Sequence, residues 1–194
     1  MNRIAPFLKR AGCALIAAAL SAAAHAALKP GAPAPLFKTE AALAGKPLTF
    51  DMAEALRKGP VVLYFFPKAF TKGCTIEAHA FAEATPEFNR LGATVIGISH
   101  DDIETLKKFS TEACRDRFAV ASDASAATIR AYDAASAERP GMASRISYVI
   151  SPQGQIVFAH ESADPLEHVQ QTLEAVRRLH DKAGADADAG RKMQ

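Results

Sequence analysis

The stretch Pro67-Lys68-Ala69-Phe70-Thr71-Lys72-Gly73-Cys74 decides how this chain is read. Before it runs Val61-Val62-Leu63-Tyr64-Phe65-Phe66, a short β-branched and aromatic segment stopped by a proline, which predicts a buried strand. After it comes Thr75-Ile76-Glu77-Ala78-His79-Ala80-Phe81-Ala82-Glu83, where Ile76, Ala80 and Phe81 recur at helical spacing. Cys74 therefore stands where the end of a strand hands over to the start of a helix. The amides of a first helical turn lack intrahelical acceptors and carry partial positive charge. A thiolate among them is stabilised, and the thiolate is the nucleophilic form of cysteine. The stretch predicts an activated cysteine rather than an inert buried one.

On the N-terminal side, residues 27–40 hold Pro30, Pro33 and Pro35 and predict an extended lead-in with Leu36 and Phe37 able to pack. Leu48-Thr49-Phe50, then Asp51 and Met52-Ala53-Glu54-Ala55-Leu56, predict a short strand, an N-cap and a helical turn or two, closed by Gly59-Pro60. On the C-terminal side, Pro86 has no N–H to donate and crowds the preceding turn, which predicts a kink or a restart with Thr85 as cap. Residues 94–98 predict a second buried strand. Asp101 or Asp102 caps a helix carrying Ile103, Leu106, Phe109 and Ala113 on its apolar side. A short strand (118–121), a small helix (124–132), a loop (133–144) and a hairpin (145–150 with 155–159) follow. A last helix over 164–180 carries the stripe Leu166, Val169, Leu173, Val176 and Leu179. Residues 181–194 are small and polar and predict a disordered tail. Strands alternating with helices, closed by a hairpin and a helix, give an α/β sandwich.

The pattern Pro-x-x-x-Thr-x-x-Cys after a strand, here Pro67, Thr71 and Cys74, resembles the active-site signature of peroxiredoxins. Glu77, three residues after the cysteine, looks like the Q-type subgroup, the bacterioferritin comigratory proteins. The resemblance continues through Gly92-Ala93-Thr94-Val95-Ile96-Gly97-Ile98-Ser99, Lys107-Lys108-Phe109 and Arg145-Ile146-Ser147-Tyr148-Val149-Ile150, in order, and covers roughly residues 30–180. It implies a thioredoxin-like fold with a central mixed β-sheet flanked by helices. It also implies a thiol peroxidase acting on hydrogen peroxide and organic hydroperoxides, with no cofactor, re-reduced by a thioredoxin-like or other thiol donor, and monomeric.

On that resemblance Cys74 is the peroxidatic nucleophile, which becomes a sulfenic acid on attacking a hydroperoxide. Thr71 bonds the thiolate and the peroxide oxygen, Pro67 shields the sulfur from water, and Arg145 supports the thiolate and the polarising O–O bond. The residues alone leave plainer alternatives open. Thr71 is also a turn hydroxyl, Pro67 a strand stop, and Arg145 a solvated strand-edge residue. Glu77 either tunes Arg145 or lies on a solvated helix face. Many Q-type relatives carry a resolving cysteine five residues after the first, where this chain has His79. Others carry it on the following helix, which points to Cys114. The polar run Glu112-Ala113-Cys114-Arg115-Asp116-Arg117 predicts an exposed, mobile helix end in which Arg115 and Arg117 favour the thiolate. The alternatives are a structural Cys114 with a one-cysteine mechanism, or a disulfide exchanger for cytochrome or copper-site assembly. The latter needs a second cysteine at Cys-x-x-Cys or Cys-x-x-x-Cys spacing, where this chain has Glu77 and Ala78.

Arg3, Lys9 and Arg10, then the apolar residues 11–20 and Ala24-His25-Ala26, predict a secretory leader (1–26) cleaved after Ala26 and a periplasmic address. The mature domain is then 27–180 plus the tail. Removing the leader takes three basic residues and leaves 20 basic against 21 acidic, which gives no footing for nucleic acid or an anionic membrane. Cys13 leaves with the leader, and Cys74 and Cys114 remain as the two thiols of an exported chain. His79, His100, His160, His168 and His180 show no metal-ligand spacing with Cys74 and predict surface or internally satisfied imidazoles.

Overall fold

The computed structural model describes residues 27–192. The expected leader and cleavage site, with Cys13, lie outside the described residues. The sheet has seven strands: β1 (Lys38–Leu43), β2 (Lys46–Asp51), β3 (Val61–Phe65), β4 (Thr94–Ser99), β5 (Ala119–Ser122), β6 (Ile146–Ile150) and β7 (Ile156–Glu161). Their spatial order is β2-β1-β5-β4-β3-β6-β7. β3 runs parallel to β4, and β4 to β5, while β6 lies antiparallel to β3 on its other side. The helices are α1 (Met52–Lys58), α2 (Lys72–Arg90), α3 (Ile103–Glu112), α4 (Ala127–Ala131) and α5 (Pro165–Lys192). This is the mixed sheet with flanking helices that the family resemblance implies.

β3 is buried on both faces, so its side chains alternate between two cores. Val62, Tyr64 and Phe66 face the core shared with α2, α3 and α5. Val61, Leu63 and Phe65 face the core under α1 and α4. Tyr64 stacks on Phe81 of α2 with ring centroids 4.4 Å apart. Gly97 of the neighbouring strand makes room for it, since a Cβ there would lie 2.6 Å from the Tyr64 ring. The register Phe65↔Ile146 brings the residue before β6, Arg145, alongside the C-terminal end of β3.

Four expectations are corrected. The lead-in hides a strand: β1 pairs with both β2 and β5. α2 runs unbroken through Pro86. There Thr85 is no N-cap, and its hydroxyl donates to the Phe81 carbonyl at 2.8 Å. Phe81, Thr85 and Phe88 are buried on one face of α2, and that packing outweighs the backbone bond the proline forgoes. The buried face of α5 is His168, Val169, Thr172, Ala175 and Val176, with Leu166 turned out. α5 also continues past His180 through 181–192, where a disordered tail was expected, as an exposed helical extension. Among the described residues no helix is long and apolar enough to cross a membrane.

Candidate active site

Cys74 is the third residue of α2, with Thr71 as its N-cap in extended backbone. The loop from Pro67 to the cap folds tightly, and Phe70 takes the left-handed conformation at φ 62°. Its ring packs edge-on against Phe109 of α3 with centroids 5.2 Å apart. Asp101 holds the loop from the end of β4, accepting from the Ala69 N–H and the Ser99 hydroxyl, each at 2.8 Å. The sulfur of Cys74 thus sits in a first helical turn whose amides are unspent, and the residue is 1% exposed.

Arg145 reaches this sulfur: Nη2 lies 3.5 Å from Cys74 Sγ, and Nη1 donates to Glu77 Oε2. Gly73 allows the approach, because a Cβ there would stand 3.1 Å from Nη2. Burial works against the Arg145 cation, but Glu77 and Cys74 together outweigh it and hold its pKa above the usual value. Pro67 is buried, and with Ser144, Arg145, Glu161 and Ser162 it lines a cleft of about 640 Å³. The Thr71 hydroxyl donates to the Lys68 carbonyl at 3.0 Å, so its proton is held in the turn and its lone pairs stay open.

Glu77 is fully buried, which removes the solvated-face alternative. The signal was in the sequence, since positions 74, 77, 78 and 81 share one helical face. Burial pushes its carboxyl up to about 8, with Arg145 pulling the other way. His168 of α5 is also fully buried. Its Nε2 lies 3.0 Å from the Ser162 carbonyl and its Nδ1 2.8 Å from the Ser147 hydroxyl. A carbonyl only accepts, so Nε2 carries a proton, and in the neutral ring Nδ1 then accepts from Ser147. Burial lowers the His168 pKa to about 4, against the pull of the Ser162 bond.

These two groups give opposite pH dependences to stability. Glu77 rises from an ordinary 4.5 to about 8 on folding, so the folded chain binds the extra proton and stability falls as pH rises between those values. His168 falls from 6.5 to about 4, so its contribution makes stability rise over that window. They oppose each other in acid, and Glu77 acts alone from pH 6.5 to about 8. The unfolding free energy is expected to drop by about 2 kcal/mol across that last window. Denaturant midpoints of wild type and Glu77→Gln at the two ends check this, and an equal drop in both proteins would remove Glu77 as the cause.

Cys114 departs from expectation. It is fully buried rather than exposed, packed in the core that also holds Cys74, Tyr64 and Phe109. The chain turns sharply after it, with Arg115 and Asp116 both left-handed at φ 51° and 60°. This turn sends the polar side chains outward and the thiol inward. Burial pushes the Cys114 thiol up, and Asp116 adds to it, so Arg115 and Arg117 do not favour its thiolate. Arg115 instead pairs with Glu83 of α2 at 3.1 Å. Both cysteines are free thiols. Among the described residues no cluster of His, Cys, Asp and Glu is arranged to hold a metal.

A cysteine in the first turn of a helix, an arginine on its sulfur and a mixed sheet behind them define a thioredoxin-like protein with a cysteine at its strand-to-helix junction. The chain belongs to the AhpC/TSA family, whose model matches residues 30–159. It is a peroxiredoxin, hence a thiol-dependent peroxidase. It is 30% identical over 156 residues to "Peroxiredoxin Bcp" of Xanthomonas campestris pv. campestris, covering 72% of this chain and 96% of that protein. It is 32% identical over 121 residues to the chloroplastic "Peroxiredoxin Q" of Triticum aestivum, covering 62% of this chain but only 55% of that longer protein. The crystal structure of "Peroxidoxin BcpB" from Mycobacterium tuberculosis superposes with a TM-score of 0.68 at 27% identity, over 78% of this chain and 97% of that one.

Proposed function

We propose that this peroxidase reduces hydrogen peroxide and organic hydroperoxides through the Cys74 thiolate. The thiolate attacks one peroxide oxygen, the O–O bond breaks, and the other oxygen leaves as hydroxide or alkoxide, to be protonated by solvent. Cys74 is left as a sulfenic acid, oxidised by two electrons. The observation that carries this reading is the 3.5 Å contact between Arg145 Nη2 and Cys74 Sγ. A guanidinium there favours the thiolate and faces the negative charge that builds on oxygen. Pro67 walls the site, and Thr71 offers its hydroxyl oxygen beside it.

The Cys114 thiol then condenses with the sulfenic acid, expelling water and closing an intramolecular disulfide, which a thioredoxin-like dithiol reduces. The strained turn at Arg115 and Asp116 supports this step. Two successive left-handed residues without glycine cost about 1 kcal/mol or more each, and opening the turn that follows α3 relieves them while freeing Cys114. The burial of Cys114 favours a second reading, in which an external thiol resolves Cys74 directly. The basic start, the apolar run and Ala24-His25-Ala26 support export to the periplasm, and the working form is proposed to be a monomer.

Peptide mapping after one equivalent of hydrogen peroxide tests both steps. A Cys74–Cys114 bond within one chain is the expected product. Only mixed or intermolecular disulfides would remove Cys114 as resolving residue, and two unchanged thiols would remove the peroxidase reading itself. Cys114→Ser should still reduce the first equivalent but pass on to sulfinic acid more readily during turnover.

A further inference from the structure

Glu77 spends one carboxylate oxygen on Arg145. The other, Oε1, is buried without a hydrogen-bond partner among the described residues. Across the helix interface His168 Nδ1 lies 4.0 Å away. In the neutral ring that nitrogen is unprotonated, because Nε2 donates to the Ser162 carbonyl and Nδ1 takes the Ser147 proton. With its one lone pair taken by Ser147 and no proton to give, Nδ1 offers Oε1 nothing, and an ionised Oε1 would be a buried charge without a donor, which is unfavourable. A protonated Oε1 carries no such charge. Arg145 answers to both Cys74 and Glu77, so a negative Glu77 would compete with the thiolate for the same guanidinium.

We propose that His168 is a positioning residue for the peroxidatic site: with its Nδ1 unprotonated and engaged by Ser147 it withholds a donor from Glu77 Oε1, which keeps Glu77 in the acid form and leaves the charge of Arg145 to the Cys74 thiolate. His168 touches neither sulfur nor substrate and acts through Glu77. Burial raises the Glu77 pKa and lowers that of His168, and both directions favour a neutral pair. The charged and titratable groups around the pair come from each packed element. They are Cys74 on α2, Arg145 ahead of β6, and Tyr64 on β3 with its hydroxyl buried and unpartnered. Beyond His168 lie His160 of β7, with ring centroids 4.9 Å apart, and Glu167 of α5, 3.5 Å from His160 Nε2. None of these supplies Oε1 with a donor.

The inference rests on the peroxidase reading, so its test includes a measurement made without peroxide. Carboxyl and imidazole NMR of the reduced full chain should show Glu77 protonated at pH 7 and losing its proton near pH 8, with His168 Nδ1 unprotonated throughout. An ionised Glu77 or a protonated Nδ1 at pH 7 would overturn the proposal, whatever the peroxidase assay gives. The rate of Cys74 oxidation by hydrogen peroxide should decline through the same transition, and Glu77→Gln should lack that alkaline limb. His168→Gln places an amide N–H where it can donate to Oε1. It should let Glu77 ionise at pH 7, slow the reaction roughly tenfold and move the limb below pH 7. His168→Leu, with no donor to offer, should slow it less, though it forfeits two hydrogen bonds. A merely structural histidine predicts the reverse order, with leucine the worse substitute, and that order would overturn the assignment. Should both variants fail to fold, the wild-type NMR titration decides.

Discussion

Serine in place of Cys74 is expected to take peroxide consumption down to the uncatalysed background, a loss on the order of 10⁴-fold or more. The two side chains are nearly the same size, and Cys74 is 1% exposed in a packed turn, so the fold should tolerate the exchange. The chemistry should not. A serine hydroxyl is not ionised at neutral pH, and the thiolate alone attacks an O–O bond. Hydrogen peroxide consumption with excess dithiothreitol, followed alongside thermal unfolding, separates the two effects. A Cys74→Ser protein that unfolds like wild type and still consumes peroxide would show that the reacting atom is elsewhere.

That cysteine was legible because three local signals agree: a fully apolar strand, a proline stop and a helical repeat beginning at the next turn. Local agreement of this kind survives folding. The misread parts depend on contacts between distant segments. Lys38-Thr39-Glu40-Ala41-Ala42-Leu43 has little β-branched character, and it becomes a strand because β2 and β5 supply partners on both sides. Pro86 breaks helices on average, yet α2 holds it because buried side chains flank it. The run from Cys114 to Arg117 reads as exposed on composition, and only the left-handed turn reveals that its one thiol points inward. Glu77 and His168 were harder for a different reason. Each falls on the buried stripe of its helix, where periodicity alone assigns an apolar neighbour, and what makes them tolerable there is a partner on another element. Arg145 answers Glu77, while Ser147 and Ser162 answer His168. Sequence order does not disclose such pairings between elements, and Arg145 was brought to the site by the family resemblance, its strand lying beside β3 in the sheet.

Arg145→Met is expected to slow the oxidation of Cys74 by hydrogen peroxide about 100-fold, the usual consequence of removing one preorganised donor from a developing negative charge. Methionine keeps most of the aliphatic stem in place, so the change isolates the guanidinium. Two effects should move together. The ultraviolet thiolate absorbance of a Cys114→Ser background should be smaller at pH 7 than with Arg145 present, because Nη2 at 3.5 Å no longer favours the anion. The reaction should also slow more than the lost thiolate explains, because the same group faces the departing oxygen. Lysine should recover only part of either effect, since a point charge cannot donate to Glu77 and Cys74 in the fixed fork that Nη1 and Nη2 provide. The stability cost should stay modest, about 1–3 kcal/mol, well below that of stranding a buried charge, because Glu77 can remain in its acid form when its partner is gone. A second-order rate constant within threefold of wild type, at equal thiolate content, would mean that the helix N-terminus alone activates Cys74. Arg145 would then be a tether for Glu77 and nothing more.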